Sequence, residues 1–438
     1  FQAEDGIRDC LLSRGLGDVY KRQGVRRLTA ILLISSMVLA GCSGEADEPV
    51  EIAGCMDEMA ENYDENATVE GVCTYADSDG DGIFDIDEIP GCTDNAANNF
   101  VSEATDDDGS CDYWVPKYTE TWTKHDPEDE DCMCSDGSEY SFYSRDGDSD
   151  VAVLFFNGGG ACWNDFTCTV ENSSSTGAYW QNPTGWGGIL DLDNRDNPLI
   201  DASMVFVPYC TGDVHMGNTT LSYGDNVMHH RGYPNAMSAF DHFVSSHPNA
   251  STYYVLGSSG GAIAAGFYAG SLSEAIPDAN IFVFHDSTGG VTSTGTTDLY
   301  PAWGLNNTSF TWLDGLTYNG SSLDWNDMTS AHLDIYLNMY NPNITYGRFD
   351  SAQDETMKYF NGLLNNPPED YNWRLRNSEL HIESEGVEMS GWIEAGDNHG
   401  ILFSSWFYQL EDESISFSDW FTSWLSGEMP EDVWCTDC

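Results

Sequence analysis

The sequence predicts an α/β fold: a doubly wound, mostly parallel sheet, preceded by a small disulfide- and calcium-bearing module. Three observations point there. From about Trp114 onward, β-branched and aromatic runs alternate with segments whose apolar residues recur at helical spacing. Two of those runs end in glycine-rich turns, Asn157-Gly158-Gly159-Gly160 and Gly257-Ser258-Ser259-Gly260-Gly261. Ahead of Trp114 the chain is acidic, cysteine-bearing and repeats itself.

Residues 1–23 lack a starting Met, mix both charges and read as translated adapter sequence outside the fold. Arg26-Arg27 then precede an apolar run, Leu28 to Leu39, closed by Ala40-Gly41-Cys42. A basic start, an apolar core and a small-residue exit make a secretory signal over 24–41, too short to span a bilayer comfortably. Leu-Ala-Gly-Cys resembles the bacterial lipobox, which implies lipidation of Cys42, a membrane anchor, and a tether over 42–53.

At 438 residues there is room for a full α/β core and for smaller modules. The net charge is −58, and from Cys42 to Asp131 only Lys117 and Lys124 are basic. Nothing there could neutralise a phosphate backbone, so nucleic acid is excluded as a partner. Such acidity suits a salty or calcium-containing exterior. Thirteen cysteines, most in loop-like sequence, point to an oxidising compartment.

Within 54–113 two segments match: Gly54-Cys55-Met56-Asp57 to Cys73-Thr74-Tyr75, and Gly91-Cys92-Thr93-Asp94 to Cys111-Asp112-Tyr113. Units this small cannot bury a hydrophobic core, so a bridge inside each, Cys55–Cys73 and Cys92–Cys111, is the expected staple. Between them, residues 77–88 place Asp77, Asp79, Asp81 and Asp85 at loop positions 1, 3, 5 and 9, and Glu88 at 12, with Gly82 at the sharp turn. The backbone of Ile83 falls at position 7. That spacing wraps oxygen ligands around Ca²⁺ and resembles EF-hand and thrombospondin type 3 loops. The ion would be structural, since the loop is remote in sequence from Ser259. No cofactor is expected for catalysis.

The last domain spans 114–438. Val151–Phe156 is a buried strand, and the glycines after it leave backbone N–H groups free to face a ligand. Met204–Pro208 is a second strand, Asn235–His247 a helix with Ala236, Phe240, Phe243 and Val244 on one side, and Ile281–Phe284 a further strand. Thr252–Leu256 is the strand that enters the Gly257–Gly261 turn, and a small-residue helix leaves it. A serine on a tight strand-to-helix turn is a nucleophile elbow. Side chains at 257 or 261 would collide with the neighbouring strand and helix. Ligand sites in such sheets lie beyond the C-terminal strand ends, where Gly158–Gly160, Ser259 and Asp286 all fall.

Five phrases in order are similar to the pectin acetylesterase/Notum family of carboxylesterases, an α/β-hydrolase-like fold. They are Cys134-Ser135-Asp136-Gly137, Phe156 to Trp163, Pro208 to Gly217, Gly257 to Gly261, and Asp286-Ser287-Thr288-Gly289-Gly290. The resemblance implies a triad of Ser259, Asp350 and His399, and oxyanion donors at the amides of Gly159, Gly160 and Gly260. Asp350 comes from the segment Phe349 to Gln353, with Asp286 as the rival acid. His399 comes from Asp397-Asn398-His399-Gly400, with His215, His229, His230, His285 and His381 as rival bases. Gly260 stands where relatives usually have Ala, and Gly160 where animal members have Trp. It also implies bridges Cys162–Cys168 and Cys134–Cys210, leaving Cys132, Cys435 and Cys438. The implied activity is hydrolysis of O-acetyl esters on polysaccharide by an exported, lipid-anchored enzyme. A fatty-acyl deacylase and an inactive surface-binding protein are the alternatives.

Overall fold

The computed structural model describes residues 50–118, 122–169, 182–291, 299–318, 320–322, 325, 328–412 and 414–435. The signal segment, Cys42 and Cys438 lie outside them. Contacts divide the chain into two units between Cys111 and Asp112, two residues before the boundary read from composition.

The first unit is two copies of one device. Ala53–Gly54 pairs in parallel with Val69–Glu70, and Pro90–Gly91 with Asp106–Asp107. Each copy closes with its own disulfide, Cys55–Cys73 and Cys92–Cys111. Thr68 Oγ1 accepts from Ile52 N–H at 2.9 Å, and Thr105 Oγ1 from Ile89 N–H at 2.8 Å. The Asn62 amide donates to Val72 O at 2.8 Å, and that of Asn99 to Ser110 O at 2.7 Å. The buried apolar side chains here are Cys55, Ala60, Cys92 and Ala97. Bridges and side-chain-to-backbone bonds replace the core that so short a unit cannot build.

The second unit is built on a nine-stranded sheet. Its strands are β1 (Thr123–His125), β2 (Phe142–Arg145), β3 (Val151–Phe156), β4 (Ser203–Val207), β5 (Thr252–Ser258), β6 (Ile281–Asp286), β7 (Thr345–Ser351), β8 (Met389–Glu394) and β9 (Val433–Trp434). They lie in the order β1-β2-β4-β3-β5-β6-β7-β8-β9. The seven from β4 to β9 across the sheet are parallel; β2 and β1 are antiparallel at one edge. Alternation along β3 explains why the sheet is covered on both faces. Ala152, Leu154 and Phe156 feed one core, with Val205, Val255 and Val283. Val153 and Phe155 feed the other, with Met204, Phe206, Leu256 and Phe284.

Helices supply the covers. They are α1 (Gly232–Ser246), α2 (Gly260–Ala275), α3 (Leu299–Trp303), α4 (Ser330–Tyr340), α5 (Glu355–Leu363), α6 (Tyr371–Ser384) and α7 (Phe417–Leu425). Phe243, Phe267 and Leu333 from α1, α2 and α4 join the first core, while Phe417, Trp420, Phe421 and Trp424 from α7 join the second. Helices on both faces of a mostly parallel sheet make this an α/β-hydrolase-like fold, as the alternating pattern predicts. Cys134–Cys210 and Cys162–Cys168 are bridged, Cys435 is also disulfide-bonded, and Cys132 is free.

Candidate active site

Ser259 follows directly on β5 and caps α2, at φ 53° and ψ −124°. This is a left-handed, strained setting for a side-chain-bearing residue. Close approach makes it possible. A Cβ on Gly257 would sit 2.1 Å from Gly261 O in the helix, and one on Gly261 would sit 2.1 Å from Phe156 O on β3. Across the gap, a Cβ on Gly158 would lie 2.7 Å from both Ser258 O and Ser259 Cβ. The glycine bend after β3 is thus pressed onto the serine turn. Gly160 and Gly260 line the same cleft as Ser259. The Cys162–Cys168 bridge closes the loop beyond the bend, and Trp303 Nε1–H donates to Cys162 O at 2.7 Å.

His399 lies in the loop after β8 and is half-buried. Its Nδ1 is 2.7 Å from Asp354 Oδ2. A carboxylate accepts, so Nδ1 carries the proton and Nε2 is left free to take one. Asp354 is fully buried and caps helix α5, its Oδ1 accepting from Met357 N–H at 2.9 Å. One carboxylate therefore fixes both a helix start and an imidazole. Burial pulls the His399 pKa down, but the Asp354 hydrogen bond and the charges of Asp354, Asp286 and Asp350 outweigh it, so the net shift is upward.

Asp350, the acid implied by the family resemblance, does not meet His399; the carboxylate that does is Asp354. Alternation places Arg348 and Asp350 on one face of β7. There the Arg348 guanidinium, itself buried, engages Asp350 Oδ2 through Nε at 2.9 Å and through Nη2. Gly289 N–H takes the other oxygen at 2.7 Å. Asp350 is consumed by a structural network that also reaches Glu379. A signal for Asp354 was present in the sequence: an Asp just past a strand end, followed by Glu355 and a helical pattern, is a helix N-cap at the catalytic edge.

Asp286 binds turn amides. Its Oδ1 accepts from Ile401 N–H and its Oδ2 from Leu402 N–H, both at 3.0 Å, while its backbone carbonyl accepts from Ser259 N–H at 2.7 Å. One residue thus ties the serine turn to the histidine loop. Glu394 steadies that loop from the other side, accepting from the Asn398 amide at 2.7 Å.

The rival histidines are otherwise engaged. His285 is buried between Ala262 O (2.8 Å) and Asp334 (2.9 Å). His230 is held by Thr211 O and Tyr223 Oη. His229 meets Thr220 Oγ1 at 3.1 Å. His381 lies on α6, edge-on to His332. His215 is buried against Asn157 O.

The cleft beside Ser259 holds about 80 Å³ and is open to solvent. Its walls include Trp163, Val214, Ile263, Trp303, Met357 and Phe360. The walls suit an apolar ligand.

In the first unit, carboxylate oxygens of Asp77, Asp79 and Asp81 lie within 4.8 Å of one another, as do those of Asp79, Glu88 and Asp106. Glu88 Oε1 is buried without a hydrogen-bond partner. Desolvation, then the carboxylates of Asp106, Asp85, Asp79 and Asp81, push the Glu88 carboxyl up. An orphaned oxygen among crowded like charges fits a hard cation. Asp85 departs from its expected place: its carboxylate accepts from Ser78 N–H and Oγ–H, both at 2.7 Å. Ile83 donates its N–H to Asp81 Oδ1 at 2.7 Å.

Residues 118–291 match the Pectinacetylesterase family model. Palmitoleoyl-protein carboxylesterase NOTUM of Homo sapiens is 34% identical over 96 residues, 20% of this chain and 19% of that protein. Palmitoleoyl-protein carboxylesterase notum1a of Danio rerio is 29% identical over 99 residues, 21% of this chain and 20% of that protein. A second Danio rerio protein, inactive palmitoleoyl-protein carboxylesterase notum1b, is 34% identical over 93 residues, 20% of this chain and 66% of that protein. The matched stretch spans about a fifth of the length of the first two relatives. Residues 118–291 are thus similar to the pectinacetylesterase/Notum family, with Notum carboxylesterases as relatives at modest identity.

Proposed function

We propose that the second unit is a serine carboxylesterase whose substrate presents an apolar acyl group to the Ser259 cleft. The observation that supports this best is the position of a strained serine in the wall of an apolar cleft, tied through Asp286 to the His399–Asp354 pair. Ser259 Oγ attacks the acyl carbonyl as His399 Nε2 takes its proton, and Asp354 stabilises the imidazolium. The amides of Gly159, Gly160 and Gly260 receive the oxyanion. Collapse expels the alcohol, protonated by His399, and leaves an acyl-enzyme. Water, deprotonated by the same imidazole, releases the acid.

Two substrate classes compete. The family description favours acetyl groups on polysaccharide. The walls of Trp163, Val214, Ile263, Trp303 and Phe360 favour a longer acyl chain, as do the palmitoleoyl esters in the relatives' names. We give precedence to the longer chain. A p-nitrophenyl ester series from two to sixteen carbons, run beside acetate release from acetylated pectin and xylan, decides it. Each methylene buried is worth up to ~0.8 kcal/mol, about fourfold, so kcat/KM rises from two to about eight carbons. A steep fall beyond two carbons returns the reading to acetyl. Failure of a fluorophosphonate to label Ser259 turns it to a binding protein.

Export is part of the proposal. The disulfides support an oxidising compartment. No helix among the described residues is long and apolar enough to cross a membrane. Attachment is assigned to a lipid on Cys42, tested by the membrane fractionation of Cys42→Ser. Asp77, Asp79, Asp81 and Glu88 are the side chains that would hold a structural Ca²⁺, which would neutralise their mutual repulsion.

A further inference from the structure

The loop from Pro208 to Gly217 leaves β4 and brackets the glycine bend at both ends. At one end Gly212 O accepts from Cys162 N–H at 2.9 Å. At the other, His215 Nε2 meets Asn157 O at 2.7 Å. A carbonyl only accepts, so this nitrogen bears the proton and donates. The ring reaches there through strained backbone: Val214 has φ 48° and His215 φ 62°. Two consecutive left-handed residues, the first β-branched, are strained and persist only where the surroundings over-determine them.

The surroundings do. Tyr209 Oη accepts from Val214 N–H at 2.7 Å, and Tyr268 Oη donates to His215 O at 2.9 Å. The buried Asp213 carboxylate accepts from Gly232 N–H at 2.8 Å and from Thr211 Oγ–H at 2.6 Å. The His215 ring packs against Phe156 and Tyr209 and is 1% exposed. Burial, against the opposing bond to Asn157, drives its pKa down to about 4, so it is a neutral donor across the working range. Proton transfer between Ser259 and His399 makes no use of it.

We infer that His215 is a positioning residue for the oxyanion hole: its Nε2–H pins the Asn157 peptide and so fixes the aim of the Gly159 and Gly160 amides. The inference rests on the carboxylesterase reading. Losing an oxyanion donor outright slows acyl transfer about 10²–10³-fold, and misaiming one is expected to cost about ten- to a hundredfold.

Two variants separate the donor from the ring. His215→Phe keeps an aromatic ring and loses the donor; His215→Gln loses the ring and keeps an N–H at similar reach. With a p-nitrophenyl ester, H215F is expected to lower kcat about tenfold or more, with KM within about threefold and the acid limb of the pH profile unmoved. H215Q is expected to recover most of that loss. Wild-type kcat in H215F, or a moved pH limb, overturns the inference. If H215F does not fold, H215Q decides alone: near-wild-type kcat sustains the inference, and a tenfold fall in a folded protein overturns it. Failure of both to fold assigns His215 to stability and overturns it too. Wild-type protein with neither esterase activity nor fluorophosphonate labelling sinks the carboxylesterase reading and this inference with it. Active wild type with an indifferent H215F sinks only the inference.

Discussion

The two units hold themselves together by different means. The first has a buried apolar set of two cysteines and two alanines, and relies on two bridges, a few side-chain-to-backbone bonds and a crowd of carboxylates. The second buries both faces of a nine-stranded sheet and spends its polar groups on networks at one sheet edge. Chemistry needs the second arrangement, because only a rigid core can hold a serine at φ 53° beside a glycine bend. Perturbations that break covalent or ionic staples should therefore fell the first unit and leave catalysis intact. Perturbations of the edge networks should do the reverse.

The largest effect expected is at the edge. Asp354→Asn leaves the fold in place but offers His399 Nδ1 an amide that can donate as well as accept, which favours the wrong tautomer. By analogy with a triad acid replaced by its amide, kcat falls about 10⁴-fold. Asp350→Asn gives the contrasting result: esterase activity stays within about tenfold, while the melting temperature drops because Arg348 loses its buried partner. Equal losses of activity in the two variants would restore Asp350 as a candidate acid.

That pair of carboxylates also marks the limit of what the sequence reveals. Ser259 is legible because a strand, a Gly-flanked turn and a helix are local in the chain. The bridges within the repeats are legible because their cysteines bound matching segments. Asp350 and Asp354 are separated by four positions, and composition treats them alike. Their difference is set by what packs against them: Arg348 on the same strand face, and His399 from a loop forty-five residues later. The i, i+2 relation of Arg348 and Asp350 on a β-type run is the one clue that could have shown Asp350 as already neutralised. Asp85 is a similar case, since its loop position says ligand while Ser78 holds its carboxylate.

Removing a staple comes next in size. Cys55→Ser with Cys73→Ser is expected to cost the first unit about 2–5 kcal/mol, enough to unfold a repeat whose buried side chains are so few. Limited proteolysis will then cut within 54–73, while kcat for a p-nitrophenyl ester stays unchanged. A parallel loss of activity would mean that the esterase depends on the repeats. Chelation should act more gently in the same direction. A cation at about 100 times its Kd contributes about 2.7 kcal/mol, so EDTA lowers the melting transition of the first unit and Ca²⁺ restores it. The esterase transition and kcat do not move. Indifference of both transitions to EDTA would remove the ion from the account.

The smallest effect is the pH response, and here stability and activity within the second unit oppose one another. The folded His399 has its pKa raised above an unfolded value of about 6.5. Its contribution to stability is therefore complete below about pH 6.5 and is lost as pH rises through the folded pKa. Catalysis needs the neutral imidazole, so kcat/KM rises over that same interval, about tenfold per unit below the limb. On the proposed mechanism, the active protonation state is the one that has given up the stabilisation. Removing the charge at 354 takes away the hydrogen bond and Coulomb attraction that outweigh desolvation, so residual activity in Asp354→Asn should show its limb moved down toward or below pH 6.5. A kcat/KM profile with its acid limb at or below pH 6 in the unaltered protein would detach His399 from the Asp354 pairing as the titrating base.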